Sequence, residues 1–92
     1  MSHTIKDKKK LLSRIRRIKG QSEAIERALE GDSDCEDILQ LVASCRGALN
    51  GLMAEIIEGH VRYHVLDPKG RSSAEQIEAA EQLLDVVNAY LK

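Results

Sequence analysis

Apolar side chains recur along this chain at intervals of three and four, in three runs separated by short polar breaks. From about Ile5 to Leu29, the residues Leu11, Ile15, Ile18, Ile25 and Leu29 share one face, with Ser22 its polar member. That spacing predicts an amphipathic helix. Glu30-Gly31-Asp32-Ser33 interrupts it: Gly31 suits the left-handed residue that closes a helix, and Ser33-x-x-Glu36 reads as a capping box for the next. The second run, Asp34 to Leu66, is the longest. It places Ile38, Val42, Cys45, Leu49, Leu52 and Ile56 on a stripe expected to be buried, which Leu39, Met53 and Ile57 broaden. Asp67-Pro68-Lys69-Gly70 stops it. Ser72-x-x-Glu75 and Ser73-x-x-Gln76 offer alternative caps for a third helix, about Ala74 to Leu91, with Ile77, Ala80, Leu84, Val87 and Leu91 on its apolar face, widened by Leu83 and Tyr90. No β-alternating run, internal repeat or low-complexity tract is present. The expected class is all-α, with three helices.

Composition makes the core thin. The chain has 92 residues, neither Phe nor Trp, and two aromatic side chains, Tyr63 and Tyr90. Residues 1–92 are read as one domain whose core is built from Leu, Ile, Val and Ala. Long helices with so little bulk leave apolar stripes uncovered, and self-association is the natural remedy. Gly47 and Gly51, with Ala48 between them, would allow close approach near the middle of helix 2, as an antiparallel self-pair needs. No apolar run approaches the roughly 20 residues of a membrane span, so a soluble, cytoplasmic protein without a membrane partner is expected. Cys35 and Cys45 would lie about 15 Å apart on one helix, too far for a disulfide and in keeping with a reducing compartment.

Charge changes the picture more than composition does. The formal net charge is −1, yet residues 1–19 carry +7 and residues 20–92 carry −8. Lys6, Lys10, Arg14 and Arg17 follow one flank of helix 1, with Lys9 and Arg16 further out. A charge run is ordinarily a solvated face. This one is nearly single-signed, lacks acids four residues on, and stops half-way along the helix, which points to phosphate contact and a nucleic-acid partner. An enzyme is disfavoured, because there is no acid–base pair in a cleft-forming context and no cofactor loop. A helical adaptor without nucleic acid would explain the thin core but not the +7 segment.

Three residues on helix 2 carry candidate chemistry. His60 and His64 share a helix face and can grip one metal ion. Cys35 is 25 positions before His60, roughly 37 Å away on one straight helix, yet it points between the two histidines, roughly 20° from each. An antiparallel second copy would therefore bring the partner's Cys35 to the His60/His64 end. Helix 1 runs back along helix 2, placing residue 5 roughly opposite residue 58. His3 and the Ser2 amine, freed by removal of Met1, would then approach His60 and His64. An amine, three imidazoles and one thiolate suit Ni(II), Co(II) or Zn(II). No organic cofactor is expected, and Cys45, central on the apolar stripe, reads as packing.

Arg14-Ile15-Arg16-Arg17-Ile18-Lys19-Gly20-Gln21, Cys35, the run Arg46-Gly47-Ala48-Leu49-Asn50-Gly51-Leu52-Met53, His60 and the closing Ala89-Tyr90-Leu91-Lys92 together resemble the CsoR/RcnR family of all-helical bacterial repressors. The resemblance covers nearly the whole chain. It implies an antiparallel dimer forming a four-helix bundle, assembled as a disc-shaped homotetramer (a dimer of dimers). It also implies binding to double-stranded operator DNA when effector-free, and release when effector binds, derepressing an exporter or a detoxifying enzyme. The copper-sensing branch has Cys where this chain has His64. The nickel/cobalt branch has the counterparts of His3, Cys35, His60 and His64, and its opening is similar to Met1-Ser2-His3-Thr4-Ile5. The formaldehyde branch joins an N-terminal Pro amine to the counterpart of Cys35 through a methylene bridge. Ser2 replaces that Pro here, although a primary amine also condenses with formaldehyde. The expectation is a repressor released by Ni(II) or Co(II) at a site between protomers, with Ser2, His3, Cys35, His60 and His64 as ligands. Lys9, Lys10, Arg14, Arg16 and Arg17 are the expected DNA contacts. The alternative is a formaldehyde sensor using Ser2 and Cys35.

Overall fold

In a computed structural model that describes residues 7–67 and 69–91, three helices account for nearly all of the chain: α1 (Lys8–Glu30), α2 (Cys35–His60) and α3 (Ala74–Leu91). No strand occurs among the described residues. The helix start expected at Ile5 lies outside them, as do Ser2 and His3. Asp7 precedes the first turn of α1, which contains Lys8, Lys9 and Lys10 and no acid. Cations at the positive end of a helix dipole are unfavourable. The basic cluster therefore does not serve the stability of α1.

The α1–α2 turn departs from expectation at two positions. Gly31 has φ −90° and ψ 9°, and the left-handed residue is Asp32 at φ 58°; Asp visits this region more readily than most side chains because its short polar group bonds locally. The Ser33/Glu36 capping box does not form. The Ser33 amide donates to the Ala28 carbonyl at 3.0 Å, and Asp34 takes the extended N-cap position (φ −59°, ψ 145°) without a side-chain cap bond.

The second helix also ends differently. Its expected α-helical course to Leu66 gives way after His60 to a π-helical turn, Val61–Val65. The Leu66 amide closes it by donating to the Val61 carbonyl at 2.8 Å. Val61 is buried with Ala80 and Leu84 of α3, and Ile57 and Leu66 pack on that cluster. Arg62 donates to Glu81 of α3 through two nitrogens at 3.0 and 3.5 Å and to Glu58 at 3.4 Å, so the turn is tied to both helices. Asp67 organises the connection to α3. Its amide donates to the Ser72 hydroxyl at 2.6 Å, its carboxylate accepts from Lys69 N–H at 2.8 Å and from Arg71, and Gly70 beyond it takes φ 79°. With Ser72 so engaged, Ser73 caps α3. The Gln76 amide donates to the Ser73 hydroxyl at 3.1 Å, and the Gln76 side chain accepts from the Ser73 amide at 2.7 Å.

The α2 helix packs against α1 and, with the π turn, against α3. The α1–α2 pair is antiparallel. Lys10 and Arg14 meet Glu55, and Gln21 donates to Ser44 at 3.1 Å, a register within two residues of the expected one. Ile18 and Ala54 are buried along it. Gly51 is buried too, and within one chain its close approach is to α1. A Cβ there would stand 3.1 Å from Arg14 Nη1, whereas nothing lies near Gly47. The result is flat, with extents of 56 × 25 × 11 Å and a radius of gyration of 17.2 Å, against about 12 Å for a compact chain of this length. The apolar stripe of α2 is therefore not covered by its own chain. Leu39, Val42, Leu49, Met53 and Ile56 are exposed, Leu39 by 62%. On α3, Ala80 and Leu84 are buried while Ile77, Leu83 and Tyr90 face outward.

Two stability predictions follow from these contacts. Ser73→Ala removes the α3 cap and should cost about 0.5–2 kcal/mol in chemical denaturation at fixed protein concentration. Burial raises the proton affinity of Glu55, but the hydrogen bond from Lys10 and the Arg14 guanidinium beside it outweigh that and hold its carboxyl below the ordinary value near 4.5. A lowered folded-state value means a contribution fully present above the unfolded value and lost as pH falls through the folded one. Glu55→Gln should cost roughly 1 kcal/mol near neutrality, and the gap from wild type should close on acidification below pH 4.5. A gap unchanged down to pH 3 would contradict this assignment.

A basic cleft on α1 and a histidine pair at the far end of α2

Helical spacing gathers the cations of α1 into a cleft. Lys9, Lys10, Ser13, Arg14 and Arg17 line it from α1, with Ala48 as the small floor contributed by α2. Arg16 is exposed and lies outside this lining. Among the described residues, no ion pair engages Lys9, Arg16 or Arg17. Lys10 and Arg14 differ, because both reach the Glu55 carboxylate, at 3.1 and 3.0 Å, from the neighbouring helix. That carboxylate is only 14% exposed, against 65% for the Lys10 side chain. The sequence reading missed Glu55 because it sought acids four residues away on the same helix. The antiparallel register held the signal, since it already placed Glu55 within about a turn of the position opposite Lys10.

His60 ends α2, and His64 lies in the π turn. Their ring centres are 5.3 Å apart with planes tilted by 35°. Two imidazoles on one ion, with metal–nitrogen bonds of about 2.0–2.1 Å and bond angles between octahedral and tetrahedral, have ring centres roughly 4.5–5.2 Å apart. The observed separation is just beyond that range. The pair is only part of a donor set: among the described residues of one protomer, no three His, Cys, Asp or Glu side chains gather to hold a metal. Cys35 opens α2, exposed and free, with helix unbroken between it and His60. It thus lies roughly 37 Å away within one copy. Cys45 is half-buried and also free. A polar recess lined by Asp7, Lys10, Glu55, Glu58, Gly59, Arg62 and Tyr63 runs between the cleft and the histidine end. The π turn was not expected, and no residue in Val61–Val65 announces it.

Known proteins place this arrangement. Residues 7–89 match the family model described as metal-sensitive transcriptional repressor. Over 92 residues, and the full length of both chains, the protein is 52% identical to an uncharacterized protein in the bioA 5′ region of Serratia marcescens. At the same coverage it is 40% identical to the transcriptional repressor RcnR of Salmonella paratyphi B. Among solved structures it resembles a Glu-to-His variant of the formaldehyde-responsive regulator FrmR from Salmonella enterica serovar Typhimurium. The TM-score is 0.65 at 43% identity, covering 92% of this chain and 94% of that one. A basic helix, a paired-imidazole end and family similarity over nearly the whole length agree: the chain belongs to the metal-sensitive transcriptional repressors of the CsoR/RcnR family, which are not enzymes.

Proposed function

We propose that this repressor binds its operator through the α1 cleft when effector-free, and that Ni(II) or Co(II) releases it, derepressing a metal exporter. The observation that carries the metal reading is the His60/His64 pair, whose 5.3 Å ring separation is close to that of two imidazoles on one ion. In this reading His60 and His64 supply two nitrogens, the partner's Cys35 a thiolate, and Ser2 and His3 the remaining donors. A mixed set rich in nitrogen with one thiolate favours Ni(II) and Co(II), with Zn(II) also accommodated. A site shared between copies requires the antiparallel dimer, and the exposed stripe of α2 supplies an apolar face for it. Assembly as a cytoplasmic homotetramer belongs to the same proposal. Lys9, Lys10, Arg14, Arg16 and Arg17 contact phosphates, Lys10, Arg14 and Arg17 foremost, and DNA shape contributes more than base edges. The coupling is reciprocal: operator weakens metal binding by the factor with which metal weakens operator binding.

A second reading has support of its own. Cys35 is exposed and free, and a formaldehyde-responsive regulator is among the similar structures. On that reading the Ser2 amine and the Cys35 thiol take up formaldehyde, the histidines are bystanders, and a detoxification operon is controlled. Titrating Co(II), then formaldehyde, against the reduced protein on its upstream DNA separates the two. Release by cobalt, with a thiolate-to-cobalt absorption band in the near ultraviolet, supports the metal reading. Release by formaldehyde alone supports the other.

His64→Leu is expected to bind operator with wild-type affinity yet fail to release it at cobalt levels that release wild type, as read by fluorescence anisotropy. Arg14→Ala is expected to weaken operator binding several-fold at moderate salt and to lower the slope of log affinity against log salt by about one. Its cobalt affinity, measured without DNA, should match wild type.

A further inference from the structure

Two of the proposed phosphate-binding cations already hold an anion. Arg14 lies flat on α2, with Nη2 donating to Glu55 Oε1 at 3.0 Å and Nη1 resting over Gly51, where a side chain would stand 3.1 Å away. Lys10 Nζ bends to the same Glu55 oxygen at 3.1 Å. Glu55 is the more enclosed member, 14% exposed, beneath cations that are 36% and 65% exposed. Three features make this a built arrangement and not a casual surface pair: a carboxylate on one helix, two cations one turn apart on the other, and a glycine notch that admits the guanidinium. A phosphate oxygen seeks the same donors with the same charge. Both anions cannot hold the inward-facing N–H groups of Arg14 and Lys10 together.

We infer that Glu55 is a built-in competitor for DNA phosphate, stowing Lys10 and Arg14 against α2 in the DNA-free protein and yielding them when the operator binds. The inference rests on the reading of α1 as the DNA-binding surface. It adds a specific role for a residue of α2 that faces no DNA itself. Each phosphate that Lys10 or Arg14 neutralises releases a cation condensed on the DNA. The Glu55 carboxylate vacated in that exchange needs a cation of its own, so fewer are released in total. Glu55 should therefore lower affinity and flatten its dependence on salt.

The test compares wild type with Glu55→Gln, which preserves shape and removes charge. Each binds a duplex from the upstream region of the gene and an unrelated duplex, by anisotropy over a series of salt concentrations. The expected result is affinity about three- to tenfold tighter for both duplexes at moderate salt, with a slope steeper by about one. Gly51→Ala provides a second probe without a change of charge. Its Cβ would stand 3.1 Å from Arg14 Nη1, so the guanidinium must give by a few tenths of an ångström and loosen on Glu55, and affinity should rise by about twofold while helical content is kept. If Glu55→Gln does not assemble, Gly51→Ala decides alone. Variants that bind no tighter than wild type, with the wild-type slope, would overturn the inference and leave Glu55 as an anchor that merely orients Arg14. Wild-type protein lacking salt-dependent affinity for either duplex would overturn the reading of α1 as well, which distinguishes the two failures.

Discussion

A single layer of helices has no inside, and that constraint governs this molecule. With an extent of 11 Å along its shortest axis, a protomer can bury side chains only along the seams where helices touch edge to edge. Among the described residues, the buried apolar side chains are Ile18, Ala54, Val61, Ala80 and Leu84. The first two lie on the α1–α2 seam and the rest where α3 meets the end of α2. Polar contacts complete both seams: Glu55 gathers Lys10 and Arg14 on one side, and Arg62 reaches Glu81 on the other. Long ion-pairing side chains bridge helices that have little bulk between them. The hydrophobic driving force of the α2 stripe remains unused within one copy, and this is why a repressor so short in aromatic residues has a large apolar surface to offer to another chain.

The same spine joins the two ends of the proposed function. Glu55, which faces α1, is five residues before His60 on the same helix. The carboxylate beneath the basic cleft and the first imidazole of the proposed effector site therefore ride on one rigid body. Coupling between distant sites requires an element that both can bias. Here α2 meets the charged tips of Lys10 and Arg14 through Glu55 and ends at His60, with His64 in the turn that continues it, so no long relay of side chains is needed.

Much of this was legible in the sequence where one physical rule acted alone. Period-3.6 patterning located the three helices, and a shared rise per residue set the α1–α2 register nearly correctly. Where two local rules competed, sequence could not rank them. Ser72 and Ser73 are equivalent as caps until the Asp67 amide takes the Ser72 hydroxyl. Ser33 looked like a cap, but the chain turned through Asp32 and left Asp34 in that position. Gly51 drew attention as a point of close approach, but a small residue shows only that something comes close, not what; within one chain the neighbour is the Arg14 guanidinium. The basic run of α1 was read correctly as unpaired along its own helix, and its counter-charge arrived from across the seam. At the candidate site, the histidine pair was visible from its spacing. Cys35 lies at the opposite end of α2, where the expected geometry needs a second copy.

The π turn at Val61–Val65 has a consequence of its own, best expressed as phase. An α-helix advances about 100° per residue, so one residue gained or lost within a turn rotates everything beyond it by about that angle. His60 lies before the widened turn and His64 within it, while Val61 and Arg62 lock the turn to α3. Restoring ordinary α-helical bonding there would change the azimuth of His64 relative to His60, with little change in length. The direction of the second imidazole is thus set by backbone bonding: a one-residue slip in hydrogen bonding resets where His64 points.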